Sequence, residues 1–297
     1  MTIRNNSFRA LTGIGLLLFM LVAPSCKKDG NPNNLPPVNP NDYAGTIDGF
    51  TSSDEIFPEN LVAQWTFDAS TSEKFTSTAP AKQANATLVD GGVIGKALNL
   101  NAGYLYFAKQ FPKFTTASLT SFSISVWIKI LNNGTKRTML MQLARPGLFT
   151  GNINFHLNTQ AFPATTTNTL RIQPTFATVG GGTQDNLNNT LSPTIGMDKW
   201  THLVLTYQAT TGVFDIWADA IKVGQYPNRG TGNNSFKCYE PNEFIIGSNY
   251  NGIPGMEVST DVSIAPMTGQ VDEIRMWDKA LPDAFIIALY NLGKAGK

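Results

Sequence analysis

The chain has 297 residues, with Lys+Arg 22 against Asp+Glu 21, and only 14% of its residues are charged. A balance so near neutral, with no basic stripe, argues against a nucleic-acid partner. Two cysteines in the whole chain, Cys26 and Cys238, exclude a cysteine-rich metal site.

In chain order, Arg4 and Arg9 precede the apolar run "ALTGIGLLLFMLVA", which is too short and wrongly flanked for a spanning helix, and "APSC" closes it in small residues. This resembles a bacterial lipoprotein signal over residues 1–25, with Cys26 as the lipidated residue, and "CKKDG" is similar to the start of Bacteroidetes-type lipoproteins. The resemblance implies a cell-envelope protein anchored by lipid to the outer membrane; the plainer alternative is a secretory signal with an incidental cysteine. With Cys26 committed to lipid, Cys238 is the one remaining thiol and no intramolecular disulfide forms. Residues 26–59, Asn- and Pro-rich at their start, read as an extended spacer, and residues 60–297 as one β domain.

Strand signals dominate that domain. "LVAQWTFD", "KALNL" and "YLYFA" are short strand candidates separated by Asn/Gly turns. In "SFSISVWIKI", Phe122, Ile124, Val126, Ile128 and Ile130 recur with period two, which predicts one buried face. "NINFHLN", "LRIQPTF" and "NEFIIGS" are further strands. Trp200–Gln208, Val213–Ala218 and "IKVGQY" form a hairpin and a half, turning through "ATTG" and Asp219-Ala220. The Thr-, Asn- and Gly-rich stretch after "GLFTGN" predicts long loops at one end of the sheets. "QVDEIRMW" is a closing strand, and "PDAFIIALYN" has helical spacing with Pro282 suited to a first turn. Many short strands without βαβ alternation predict an all-β, antiparallel two-sheet jelly-roll sandwich with a short C-terminal helix.

The serial order of "LVAQWTFD", "DGGVIGKALNLNAGYLYF", "FSISVWIKI", "WTHLVLTYQATTGVFDIWADAIKVG", "FIIGS" and "GQVDEIRMWDKALPDAFIIALY" resembles the laminin-G-like members of the concanavalin A-like lectin/glucanase superfamily. The resemblance implies that the first and last strands are neighbours, and it implies carbohydrate as the leading ligand class. Departures are "ADA" in place of a Val-Asn-Gly hairpin, "STSEKFTSTAPAKQANAT" after the first strand, and long loops between Arg145 and Thr194.

If the end strands are neighbours, Asp68 and Asp272 converge, and oxygen-only ligation there suits one structural Ca2+. The alternative makes Asp68 a turn residue and pairs Asp272 with Arg275 or Lys96. Tyr226, Tyr239 and Tyr250 lie among asparagines in loop-like sequence and are candidates for a sugar platform, since rings pack on sugar C–H faces while amides bond hydroxyls. The five tryptophans fall in strand candidates and read as packing. No Glu-x-Asp-x-x-Glu run or other catalytic motif occurs, and His156 and His202 read as strand residues. The functional expectation is non-catalytic recognition, of a glycan first; the alternatives are a divergent glycoside hydrolase and a protein-binding adhesion module.

Overall fold

Runs of alternating apolar and polar residues become strands in the computed structural model, which describes residues 45–161, 169–188, 191–226 and 229–297. The expected signal, Cys26 and the first part of the spacer lie outside the described residues. Among the described residues fourteen strands follow one another: β1 Leu61–Trp65, β2 Lys82–Asp90, β3 Lys96–Phe107, β4 Phe122–Ile130, β5 Arg137–Ala144, β6 Ile153–Leu157, β7 Thr175–Ala177 and β8 Thr183–Asp185 come first. Then come β9 Thr201–Gln208, β10 Val213–Ala218, β11 Ile221–Tyr226, β12 Glu243–Ile246, β13 Ile264–Ala265, β14 Met267–Trp277 and one helix, α1, Asp283–Lys294.

The strands form a single curled sheet in the order β11-β10-β9-β4-β14-β3-β12-β5-β6-β7-β8, with β1 beside β14 and β2 beside β3. Pairing is antiparallel except for the two-residue β13, which runs parallel to β5. Instead of two separate sheets, the layers are continuous through β3, whose first half pairs with β14 and whose last residues pair with β12. The curl is local in origin. Ala102 has φ +49°, Asn85 opposite has φ +51°, and the β2–β3 register slips between Ala84 and Ala86. A bulge of this kind bends and twists a strand. Gly103 permits it, because a Cβ there would stand 2.2 Å from the Asn85 carbonyl oxygen.

Curling faces the two layers across one core. Trp65 of β1 stacks on Phe244 of β12 at 4.8 Å, and Phe176 of β7 lies 5.0 Å from Phe214 of β10. The inward residues of β4 (Phe122, Ile124, Val126, Ile128 and Ile130) all enter this core, as their spacing requires. The first and last strands are neighbours: Ala63 faces Met276, Gln64 faces Arg275 and Trp65 faces Ile274.

The β10–β11 turn also follows from its residues. Asp219 and Ala220 have φ +47° and +64°, the two left-handed residues of a type I′ hairpin. Asp219 tolerates this because its carboxylate accepts from the His202 amide at 2.9 Å and the Lys199 ammonium at 3.0 Å.

Gly45–Lys297 form one compact unit. The packed unit therefore begins within the expected spacer. Ile56 is fully buried, and Phe57 packs on Phe285 of α1 at 4.6 Å. The Trp277 indole donates to the Ile56 carbonyl at 2.9 Å. The helix and this N-terminal segment together seal the outer face of β9, β10 and β14, burying Val204, Trp217 and Trp277.

Candidate ligand-binding site

The corner where the chain ends meet is held by carboxylates. Asp272 is fully buried, and its Oδ2 accepts from the Val93 amide at 2.7 Å and the Ile94 amide at 3.2 Å, while Oδ1 accepts from the Glu273 amide at 2.9 Å. Asp68 Oδ1 accepts from the Lys96 amide at 3.0 Å. Both acids thus converge on the turn joining β2 to β3. Glycines make the approach possible: a Cβ on Gly92 would stand 2.7 Å from Asp272 Oδ2, and one on Gly95 2.0 Å from Asp68 Oδ1. Asp272 pairs with neither Arg275 nor Lys96 through a salt bridge; its partners are backbone N–H groups.

A calcium ion needs six to eight oxygens around it. Here N–H donors stand against three of the four carboxylate oxygens, and among the described residues no group of three or more His, Cys, Asp or Glu side chains is placed to hold a metal ion. The donor set does not fit Ca2+ at this corner.

β14 carries a bulge here, its register against β4 slipping between Asp272 and Arg275, with Glu273 at φ +49°. Strict alternation would send one of the adjacent acids into the core. The extra residue lets both meet polar groups. Glu273 is salt-bridged to Arg275, which also donates to Asp54 at 3.0 Å, and Lys74 bonds the second Asp54 oxygen at 2.9 Å. Burial pushes the Asp272 carboxyl up to about 8, aided by the neighbouring Glu273 charge, and burial pushes Glu273 up to about 6. Asp54, Lys74, Glu273 and Arg275 line a cavity of about 250 Å3.

The three expected tyrosines occupy different neighbourhoods. Tyr226 packs into the main core and donates to Gln184 at 2.9 Å, with the Arg229 guanidinium 3.6 Å from its ring. Tyr239 donates to the Thr178 carbonyl at 2.7 Å, and Arg145 and Lys237 lie 4.1 and 4.6 Å from its ring. Tyr250 alone of the three lines a groove. It donates to Glu243 and meets Tyr106 edge-on at 6.3 Å. Burial and the Glu243 carboxylate push both phenols far above the ordinary tyrosine range, so both remain donors at any working pH. The groove, about 290 Å3, lies on the outside of the β3–β12–β5 layer between Pro146-Gly147 and Met256-Val258. Tyr106 and Glu243 were not anticipated as site residues. Their signal was present in "YLYF" and "NEFII", where outward Tyr106 and Glu243 alternate with core Phe107 and Phe244.

The histidines and tryptophans serve packing. His202 shares a hydrogen bond of 2.8 Å with Ser125 and is stacked on Trp127 at 4.7 Å, with Tyr290 of α1 on Trp127 at 5.7 Å. This Ser–His pair is sealed beneath the helix and cannot meet a substrate. His156 is buried on β6 with both ring nitrogens unpartnered. Trp65, Trp127, Trp217 and Trp277 are all buried, and half-buried Trp200 donates to the Gly91 carbonyl at 3.2 Å.

Comparison with known proteins places this geometry. Residues 101–286 match the family model Laminin_G_3, of the concanavalin A-like lectin/glucanases superfamily. The chain belongs to this family. Among solved structures it is similar to domain 4 of AbnA, a GH43 extracellular arabinanase from Geobacillus stearothermophilus, in complex with arabinotriose. That match has 21% identity, covers 78% of this chain and 98% of that one, and has a TM-score of 0.48. It is also similar to the binding domain of Paraclostridial Mosquitocidal Protein 1, with 13% identity, 78% of this chain and 52% of that one covered, and a TM-score of 0.52. The botulinum neurotoxin serotype C1 binding domain matches at 13% identity over 79% of this chain and 52% of its own, with a TM-score of 0.52. The laminin-G-like chain spans about half the length of those two toxin domains, and at such identities the likeness is one of fold. No curated protein sequence matches it.

Two predictions follow from these sites. Because the Asp68–Asp272 corner is satisfied by N–H donors, EDTA should leave the melting temperature unchanged; a fall reversed by added Ca2+ would restore the expected ion. Burial lowers His156 to about 4. The unfolded chain therefore takes up this proton first, so stability present above the ordinary histidine pKa of about 6.5 is lost as pH falls toward 4, by at most about 1.4 kcal/mol per pH unit. Denaturation of wild type and His156→Leu in parallel should show the wild type losing ground over that window. Parallel pH profiles would remove the burial argument.

Proposed function

We propose that the domain is a non-catalytic recognition module whose ligand is a glycan, bound along the Tyr106–Glu243–Tyr250 groove. The observation that carries this reading is the convergence of two phenols on one carboxylate beside the apolar walls of Pro146, Met256 and Val258. A sugar ring is amphipathic, with C–H faces that pack on apolar and aromatic surface and hydroxyls that bond carboxylate and phenol. Membership of a lectin/glucanase superfamily supports the same class. Each acid in the charged corner already has a structural partner, so none is free to act as an acid–base pair there.

Hydrogen bonds to a charged group contribute about 1.5–3 kcal/mol, and about 1.4 kcal/mol is tenfold in affinity. Glu243→Gln should therefore weaken binding of a glycan found by array screening about tenfold or more in calorimetry, with the melting temperature close to that of wild type. Silence across neutral and acidic oligosaccharides, or unchanged binding by Glu243→Gln, would defeat the reading.

The module is held at the cell envelope by lipid on Cys26, with the Asn/Pro-rich segment as its tether; the sequence around the cysteine supports this. Fatty-acid labelling of the full chain in its bacterial host should be lost in Cys26→Ser, with the protein moving to the soluble fraction. Persistent membrane association of that variant would point to another anchor.

A further inference from the structure

Beside the groove, a second concave feature has unmet hydrogen-bonding capacity. Two atoms on the walls of the charged corner cavity are buried without a hydrogen-bond partner, Gln64 Oε1 and Arg275 Nε, next to Glu273 Oε2, which the Arg275 ion pair occupies. Gln64, Glu273 and Arg275 are 1%, 2% and 5% exposed. They come from paired strands, Gln64 facing Arg275 across β1 and β14. Glu273 reaches the cavity through the β14 bulge, in a backbone conformation that costs a non-glycine residue energy. Buried polar atoms of this kind are normally bonded, so two at one place call for an occupant.

What occupant the walls accept follows from their chemistry. Gln64 Oε1 needs a donor, and Arg275 Nε needs an acceptor. A hydroxyl group supplies both roles. Around the cavity three side-chain carboxylates, Asp54, Asp68 and Glu273, stand against three side-chain cations, Lys74, Arg275 and Lys297. These charges balance, so the walls offer no positive excess to attract phosphates or acidic sugars. A volume of about 250 Å3 is many times the roughly 10–15 Å3 that one bridging water requires, and falls below the about 300–1,000 Å3 of pockets for larger ligands. We infer that this cavity binds a neutral, hydroxyl-rich ligand the size of a single sugar ring, held by Gln64, Glu273 and Arg275, as a site separate from the Tyr106–Tyr250 groove.

Ligand-observed NMR on the full folded domain tests this, with methyl glycosides of neutral hexoses and pentoses as probes and glucuronate and inorganic phosphate as controls. The expected result is saturable binding of at least one neutral glycoside and none of the controls. The Gln64 side-chain amide resonances should shift on binding, and affinity should fall at least tenfold in Gln64→Leu. Should that variant unfold, Ser52→Trp, which fills the cavity from its wall and leaves the ion pairs intact, is expected to abolish the same binding. Glu243→Gln in the groove should leave it unchanged, so failure here and failure of the groove reading are told apart. Three results would overturn the inference: no neutral glycoside bound up to its solubility limit, equal binding of the anionic controls, or binding unaffected by Gln64→Leu and Ser52→Trp. A high-resolution structure in which waters satisfy both atoms and remain in place in a glycoside soak would overturn it as well.

Discussion

The antiparallel contact between β1 and β14 governs the rest of the molecule. Residues more than two hundred positions apart in sequence are brought into register, Leu61 against Trp277 and Trp65 against Ile274. Closing so long a loop is entropically costly, though the cost grows only slowly with length. The contact is offset by what it buries on both sides. Inward, Trp65 and Ile274 join the aromatic core between the layers. Outward, Trp277 lies under α1 with Ile56 and Leu289. The C-terminal helix therefore acts as a clasp, and the N-terminal segment from Ile47 to Phe57 completes it.

The β14 bulge shows how this closure and the charged corner share one device. One added residue between Asp272 and Arg275 turns two adjacent carboxylates away from the core. Asp272 goes to the β2–β3 turn and fixes it by two N–H bonds, with a third from the Glu273 amide. Glu273 goes to Arg275 and the cavity. The first is held by backbone N–H groups, while the second is held by its ion pair with Arg275. Buried charge of this kind adds little stability by itself, because desolvation offsets the attraction within the pair. Its retention at the mouth of a cavity is better accounted for by what it positions there.

Much of the layer architecture was legible because a buried face imposes a period of two. β4, β9, β10, β11, β12 and β14 lie where alternating apolar residues place them, and α1 begins one residue after Pro282. β2 was hidden: the alternating Ala84, Ala86 and Leu88 of "KQANATLVD" make a weak stripe of mostly small, partly buried side chains, and pairing with β3 makes it a strand. β5, "RTMLMQLA", is apolar on both sides and buried throughout most of its length, so no alternation marks it. "KALNL" and "YLYFA" read as two strands because Asn101-Ala102-Gly103 resembles a turn, whereas the chain merely bends there and continues as β3. The stretch "LRIQPTF" yields only β7 at its end, preceded by isolated bridges. At the site level, the meeting of Asp68 and Asp272 was legible from strand adjacency, but their partners were not, since backbone N–H groups leave no mark in a sequence.

The two outer faces divide the work in a way the core cannot. One is closed by α1, where the Trp127–His202–Tyr290 stack and the Ser125 bond leave no room for a ligand. The other, over β3, β12 and β5, is covered by loops, and there partly exposed Glu243 meets the buried Tyr106 and Tyr250 at the wall of the groove. Packing at native density makes core positions intolerant of change, whereas the loops carrying Pro146, Gly147, Met256 and Val258 can vary at little cost to the sheet beneath. Recognition of a glycan in this chain is therefore best located where a rigid strand residue, Glu243, meets a variable loop wall. The strand fixes the hydrogen-bonding geometry, and the loop sets which sugar fits.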